Sequence, residues 1–407
     1  MIKNKKLQEI DLSLNSLVVF RKLMTQEVIL PLRGLLDTET MDPVIQLRLY
    51  TEFISRLYTQ STNLTEYIFR LICEDENFYI TAKARGDEVD PLLESCVENE
   101  LAILQRLARL RPHELQREVS YYGVLPEWKT SDINFYEAYM ERVRNIGKYG
   151  YGKFARHAMF VLREGRCVPV LHPDPIRMDD LIGYEAERSA VRENTLALLS
   201  GKPAQNVLLS GDAGTGKSST VKALVNEYFS EGLRLIQITK EQLTQLPELT
   251  EQIYDNPLKF ILFIDDLSFS ADDNSFGTLK ATLEGTVTAR AKNAVIYATS
   301  NRRQIVRERY SDRTGDDRYR HDTVQEIGSV AARFGLRINF SEPDLPDYLA
   351  LVSAIAQQRG LDMDDDLLAA EAERFAEGVG GRSPRAAKQL VEQLLIQQQI
   401  SCPEVTT

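Results

Sequence analysis

The pattern of apolar and polar positions changes character near residue 180. From about Leu12 to Arg166 the apolar residues recur at helical spacing. Tyr50, Phe53, Ile54 and Leu57 follow the i, i+3, i+4, i+7 stripe that one face of an α-helix buries. Asp90-Pro91 reads as an N-cap followed by a first-turn proline, where the missing N–H has no helical partner to lose. The helix opened there runs through Leu101, Leu104 and Leu107 and stops before Pro112. Residues 1–166 are therefore expected to form an all-helical domain.

Beyond Asp180, short apolar runs alternate with helical segments: Asn206 to Leu209, Leu233 to Ile238, Phe260 to Ile264, Ala294 to Ala298, and Leu336 to Phe340. Apolar on both faces and separated by helices, such runs predict an α/β fold with a five-stranded parallel sheet over 167–341. After Ser341 the helical period returns. Ser383-Pro384 supplies an N-cap and first-turn proline for a last helix to about Gln399, within a helical segment 342–407. No internal repeat or low-complexity tract interrupts this order.

Composition narrows the setting. No apolar run approaches the roughly 18 to 20 residues needed to cross a bilayer, so no membrane insertion is expected. The basic start, Met1 to Lys6, is not followed by a continuous apolar core and cleavage site, which predicts a cytoplasmic protein. Cys73, Cys96, Cys167 and Cys402 lack the close spacing of a zinc site or a disulfide framework. The net charge of −11 repels nucleic acid at long range, so binding of that kind would require a local basic patch.

The chemistry is concentrated in the α/β segment. Gly211-Asp212-Ala213-Gly214-Thr215-Gly216-Lys217-Ser218, with Ser219 after it, lies between the strand Val207-Leu208-Leu209 and the helical run Val221 to Val225. Such a loop presents backbone N–H groups and a helix N-terminus to phosphate oxygens. Lys217 is expected to bind the β- and γ-phosphates, and the Ser218 hydroxyl to ligate Mg²⁺. The strand Phe260-Ile261-Leu262-Phe263-Ile264 ends in Asp265-Asp266. Asp265 is expected to hold Mg²⁺, and Asp266 to orient or deprotonate an attacking water. A third strand runs into Thr299-Ser300-Asn301, where the Asn301 amide can donate to a γ-phosphate and accept from the water. Thr299 and Ser300 are second choices for that role.

Together these segments resemble an AAA+ ATPase. The resemblance adds Leu181-Ile182-Gly183, whose backbone in that family lies near the adenine, with Ile182 and Gly183 as contacts. It adds Arg333 in Ala331-Ala332-Arg333-Phe334-Gly335 as an arginine finger, and Arg385 in Arg382-Ser383-Pro384-Arg385-Ala386 as sensor 2 in a helical lid. More narrowly, Phe263-Ile264-Asp265-Asp266-Leu267-Ser268-Phe269 and Tyr297-Ala298-Thr299-Ser300-Asn301-Arg302-Arg303 resemble a bacterial AAA+ family catalogued as a domain of unknown function. The implied architecture is a five-stranded parallel AAA+ nucleotide-binding sheet with a C-terminal helical lid; the N-terminal all-helical domain is expected to recognise a partner. The implied cofactors are ATP and Mg²⁺. Two positions depart from the pattern: Asp266 stands where many AAA+ enzymes have Glu, which predicts slow hydrolysis, and Ala332 replaces an expected acid.

An arginine finger completes a neighbour's site, so a homo-oligomer is expected. Three functions follow. The leading one is an ATP-hydrolysing remodeller of a macromolecular partner; the others are a nucleic-acid-bound switch or loader, and a nucleotide-gated interaction protein with little turnover. Thr239 to Lys259 carries no aromatic-hydrophobic-glycine pore loop, which ranks polypeptide threading low. Arg302, Arg303, Arg307, Arg309, Arg313, Arg318 and Arg320 make one region locally basic, although Glu308, Asp312, Asp316 and Asp317 dilute it. The tract Gly147-Lys148-Tyr149-Gly150-Tyr151-Gly152-Lys153 reads as a hinge, a single-strand contact or a packed irregular loop.

Overall fold

The computed structural model describes residues 5–36, 42–267, 291–301 and 333–401. By internal contacts the chain divides into two units, Met1–Arg156 and His157–Thr407.

The described part of the first unit is helical. Its helices are α1 (Lys5–Leu14), α2 (Ile29–Leu36), α3 (Pro43–Tyr58), α4 (Leu64–Glu74), α5 (Phe78–Arg85), α6 (Pro91–Ala108), α7 (Pro112–Gln116), α8 (Phe135–Arg144), α9 (Ile146–Tyr149) and α10 (Lys153–Arg156). Side chains of Asp42, Asn63, Asn77, Asp90 and Asn134 accept first-turn N–H groups, so local sequence sets five of the starts. The stripe read on α3 is buried, and so are Leu101, Leu104 and Leu107 on α6; both belong to one continuous core. Trp128 closes that core edge-on against Phe53, and its Nε1 donates to the Leu110 carbonyl at 2.9 Å. The glycine- and aromatic-rich tract packs on its own unit. Tyr151 lies against the core, and the Arg142 guanidinium sits 4.4 Å from the centre of the Tyr149 ring.

One buried charge organises the N-terminal turn. Glu100 on α6 is 3% exposed, and its carboxylate accepts the consecutive N–H groups of Val18, Val19 and Phe20 at 2.7–3.1 Å.

The second unit carries a seven-stranded sheet in the order β2-β1-β4-β5-β6-β3-β7. The strands are β1 (Met159–Arg163), β2 (Arg166–Pro169), β3 (Val207–Gly211), β4 (Leu233–Ile238), β5 (Lys259–Ile264), β6 (Ala294–Ser300) and β7 (Leu336–Phe340). The last five are the runs read from the sequence, all parallel, with β6 between β5 and β3. The two additional strands correct the expected count of five. Met159–Arg163 and Arg166–Pro169 form an antiparallel hairpin, and β1 adds to β4 in parallel. Glu164 and Gly165 make its two-residue turn with φ of 49° and 72°, a twist that suits a tight hairpin. Because this hairpin joins the sheet, the division falls ten residues before the boundary read after Arg166.

Helices α11 (Glu185–Leu199), α12 (Lys217–Tyr228) and α13 (Leu246–Ile253) accompany the sheet. The lid is α14 (Leu345–Arg359), α15 (Asp365–Val379) and α16 (Pro384–Ser401), packed around an apolar cluster of its own that includes Tyr348, Val352, Ala372 and Leu390. Among the described residues no helix is long and apolar enough to cross a membrane.

Replacing Glu100 with Ala should orphan the backbone donors of Val18, Val19 and Phe20 and cost about 2–4 kcal/mol. Urea unfolding followed by the fluorescence of Trp128, the chain's one tryptophan, checks this; an unchanged midpoint would mean that water replaces the carboxylate.

Candidate functional site

The loop Gly211–Ser218, called the phosphate loop here after its sequence pattern, leaves β3 under tight constraint. At Gly211, φ is +130°, and a Cβ there would lie 2.1 Å from the Phe340 carbonyl oxygen on β7. Asp212 then donates its N–H to that oxygen at 3.1 Å, while its carboxylate accepts the Glu342 N–H at 2.9 Å. Lys217 opens α12 and is 5% exposed. Its ammonium folds back on the loop and donates to the carbonyls of Gly211 at 3.0 Å and Asp212 at 2.6 Å. Burial pushes its pKa down, opposed by the charges of Asp212, Asp265 and Asp266. The result is a desolvated cation held by neutral acceptors, a group that an arriving polyphosphate would satisfy better.

The acidic pair is fixed from β6. Pairing of Ile264 with Ala298 brings the end of β5 beside Thr299. The Thr299 hydroxyl donates to Asp265 Oδ1 at 2.6 Å and accepts the Asp266 N–H at 2.9 Å, and its carbonyl accepts the Leu267 N–H at 2.7 Å. The Ser218 hydroxyl donates to the same Asp265 oxygen at 2.6 Å. Asp266 adopts a left-handed backbone, φ 54°, and its Oδ1 accepts from the Asn301 amide at 2.9 Å. Ser218 and Asp265 present hard oxygen donors side by side. That set fits Mg²⁺, which takes one or two carboxylates together with phosphate oxygens.

These groups face a cavity of about 910 Å³ within the second unit. Ala213 through Ser219, Asp265, Asp266 and Asn301 line it, as do the segments Asp174–Ile176 and Asp180–Ile182 and Ile355, Gln358 and Arg359 of the lid. The lid's last helix begins directly on the loop. Arg385 donates its N–H to the Gly214 carbonyl at 3.2 Å, and a Cβ at Gly214, φ +82°, would lie 3.0 Å from both Ser383 Oγ and Arg385 Cβ.

Of the residues read from the sequence, Ile182, Ala213, Gly214, Thr215, Gly216, Lys217, Ser218, Ser219, Asp265, Asp266, Asn301 and Arg385 therefore share one cavity. Gly183, Gly211, Asp212 and Arg333 are not on its wall. Gly183 instead backs onto the lid, where a Cβ would lie 2.9 Å from Leu351 Cδ1. Ser268, Phe269, Ala331, Ala332 and the basic stretch from Arg302 through Arg320 lie outside the described residues.

The structure adds cations that the motifs did not give. Arg188 of α11, 8% exposed, lines the cavity with its pKa lowered by burial and opposed by Glu185, whose carboxylate is 3.4 Å away. Arg359 and Lys388 of the lid line it as well. Lys388 was legible, since it follows Arg385 by three residues and three-residue spacing keeps one helix face. Arg188 and Arg359 carry no comparable local signal.

A protein-family model described as "Protein of unknown function (DUF815)" matches residues 155–398, more than half of the chain. The chain belongs to this family. A search of curated proteins gives no match. Among solved structures, the RuvB Holliday junction branch migration motor of Thermotoga maritima aligns at 15% identity with a TM-score of 0.38, over 56% of this chain and 66% of that one. A single-residue variant of the same protein aligns at 14% identity with the same score and coverage. The chain thus spans slightly less than two thirds of that motor's length.

In this DUF815 protein the Thr299 hydroxyl is the joint between β6 and the acidic turn. Thr299→Val keeps the shape and removes both bonds, so it should cost about 1–3 kcal/mol. Hydrogen exchange at the Asp266 amide should accelerate; unchanged exchange there would assign the turn's order to other contacts.

Proposed function

We propose that the protein is a Mg²⁺-dependent ATPase of the AAA+ type that acts as an oligomer on a macromolecular partner. The observation that carries this reading is the convergence of Lys217, Ser218, Asp265, Asp266, Asn301 and Arg385 on one cavity, from the ends of three adjacent strands and the start of a lid helix. In this reading the loop amides and Lys217 bind the β- and γ-phosphates. Ser218 and Asp265 hold Mg²⁺, which when bound would neutralise developing phosphate charge. Asp266 takes a proton from the attacking water, and Asn301 orients both. The bond between Asp266 and Asn301 gives the two groups a shared place from which to hold that water. Arg385 brings the lid to the γ-phosphate. Arg333, off the wall of its own cavity, acts on a neighbour's nucleotide, and the helical first unit recognises the partner.

Steady-state hydrolysis tests the reading. Lys217→Ala should lose ATP binding, and Asp266→Asn should bind ATP yet turn over about 10²-fold or more slowly. Equal rates in wild type and both variants would overturn an enzymatic function. Arg333→Ala should lower oligomer-dependent turnover by about 10³-fold with binding per subunit intact. Undiminished turnover would remove the residue from the neighbour's site.

A further inference from the structure

We infer that Asn226 is a positioning residue for the nucleoside end of the cavity, clamping the wall segment 174–176 to the phosphate-loop helix. The inference rests on the nucleotide reading above and assigns a determinant for the part of the ligand that the phosphate loop does not touch.

The wall is a strap without strand structure between β2 and α11, broken only by the short 3-10 turn Met178–Asp180. Pro173 and Pro175 lack N–H groups, so this part of the strap has few donors with which to hold itself. Asn226 supplies the bond from outside. Its Nδ2 donates to the carbonyls of both Asp174 and Ile176, each at 2.8 Å. Both residues line the cavity.

Asn226 lies nine residues beyond Lys217 on α12, about 13 Å along the helix axis at 1.5 Å per residue. One rigid element therefore carries the phosphate ligands at its first turn and the wall clamp near its end. The far end of the strap belongs to the lid. Gln358 donates to the Asp179 carbonyl at 3.3 Å, Ile182 packs into the lid's apolar cluster, and Gly183 backs onto Leu351. Val170, Met178 and Tyr184 seat the strap on the sheet's core. Among the described residues these contacts do not reach the carbonyls of Asp174 and Ile176, which Asn226 holds, so loss of its amide should release the wall while the phosphate loop keeps its own bonds to Lys217 and β7.

Asn226→Asp, isosteric but with acceptors in place of donors, and Asn226→Ala are compared with wild type by calorimetric titration of Mg-ATP and of Mg-tripolyphosphate. The expected result in both variants is an ATP affinity lower by about tenfold or more, for two lost hydrogen bonds. Tripolyphosphate affinity should stay within twofold of wild type. Without nucleotide, backbone amides in 174–183 should exchange faster. Equal weakening of both ligands would make Asn226 a support of the phosphate loop and overturn the inference; so would unchanged affinity for both. A wild-type chain that binds ATP beside an unaffected variant overturns this inference alone, whereas a wild-type chain that binds neither ligand overturns the nucleotide reading with it.

Discussion

Strand β6 hydrogen-bonds to β5 on one side and to β3 on the other, and the groups that follow these three strands take their place from that arrangement. Parallel strands end together, so the loop after β3, the acidic pair after β5 and the polar run ending β6 emerge at one edge of the sheet, where ligands of open α/β folds bind. Thr299 turns this topology into local geometry. Buried at the end of β6, its hydroxyl bonds both members of the acidic pair, and Ser218 approaches the same carboxylate from the loop. Three segments distant in sequence become one network because the middle strand supplies the joint.

Two kinds of buried charge have opposite purposes in the chain. Glu100 in the helical unit is satisfied outright: its carboxylate accepts three successive backbone N–H groups, and its effect is to fix a turn. Lys217 and Arg188 are cations whose burial lowers their pKa, and both line a cavity. A desolvated cation that faces a cavity is one that an anionic ligand would relieve.

Among the described residues the lid reaches the phosphate loop directly and the rest of the unit through the strap. Arg385 and Ser383 sit directly on the phosphate loop at Gly214, and the strap from Asp174 to Gly183 runs from the phosphate-loop helix to α14. A ligand in the cavity would touch sheet, strap and lid together. Occupancy of the cavity can thus bias how the lid sits, by differential contacts of the kind that any population shift requires.

Much of this was legible in order along the chain. Five of the strands were readable because parallel strands buried on both faces must be apolar throughout, and helix starts at Asp90 and Ser383 because capping is a local bond. The phosphate loop was readable from its glycines and Lys217-Ser218 set between a strand and a helix, and Asp265-Asp266, an ordinary turn when taken alone, became readable by its pairing with that loop. The hairpin of β1 and β2 was missed, although its short apolar run and Glu164-Gly165 turn were a local signal; the expectation of continuous helix overrode it. Thr299's clamp, the burial of Arg188, the strap's bonds to Asn226 and the absence of Gly183 and Asp212 from the cavity wall depended on the tertiary structure. Each is a contact between segments 33 to 52 residues apart or a matter of which way a side chain faces once the sheet has formed. Sequence by itself determined the elements and the residue types available for chemistry, because those follow from local periodicity and backbone preference. Which of those residues meet was decided by strand order, which no local pattern encodes.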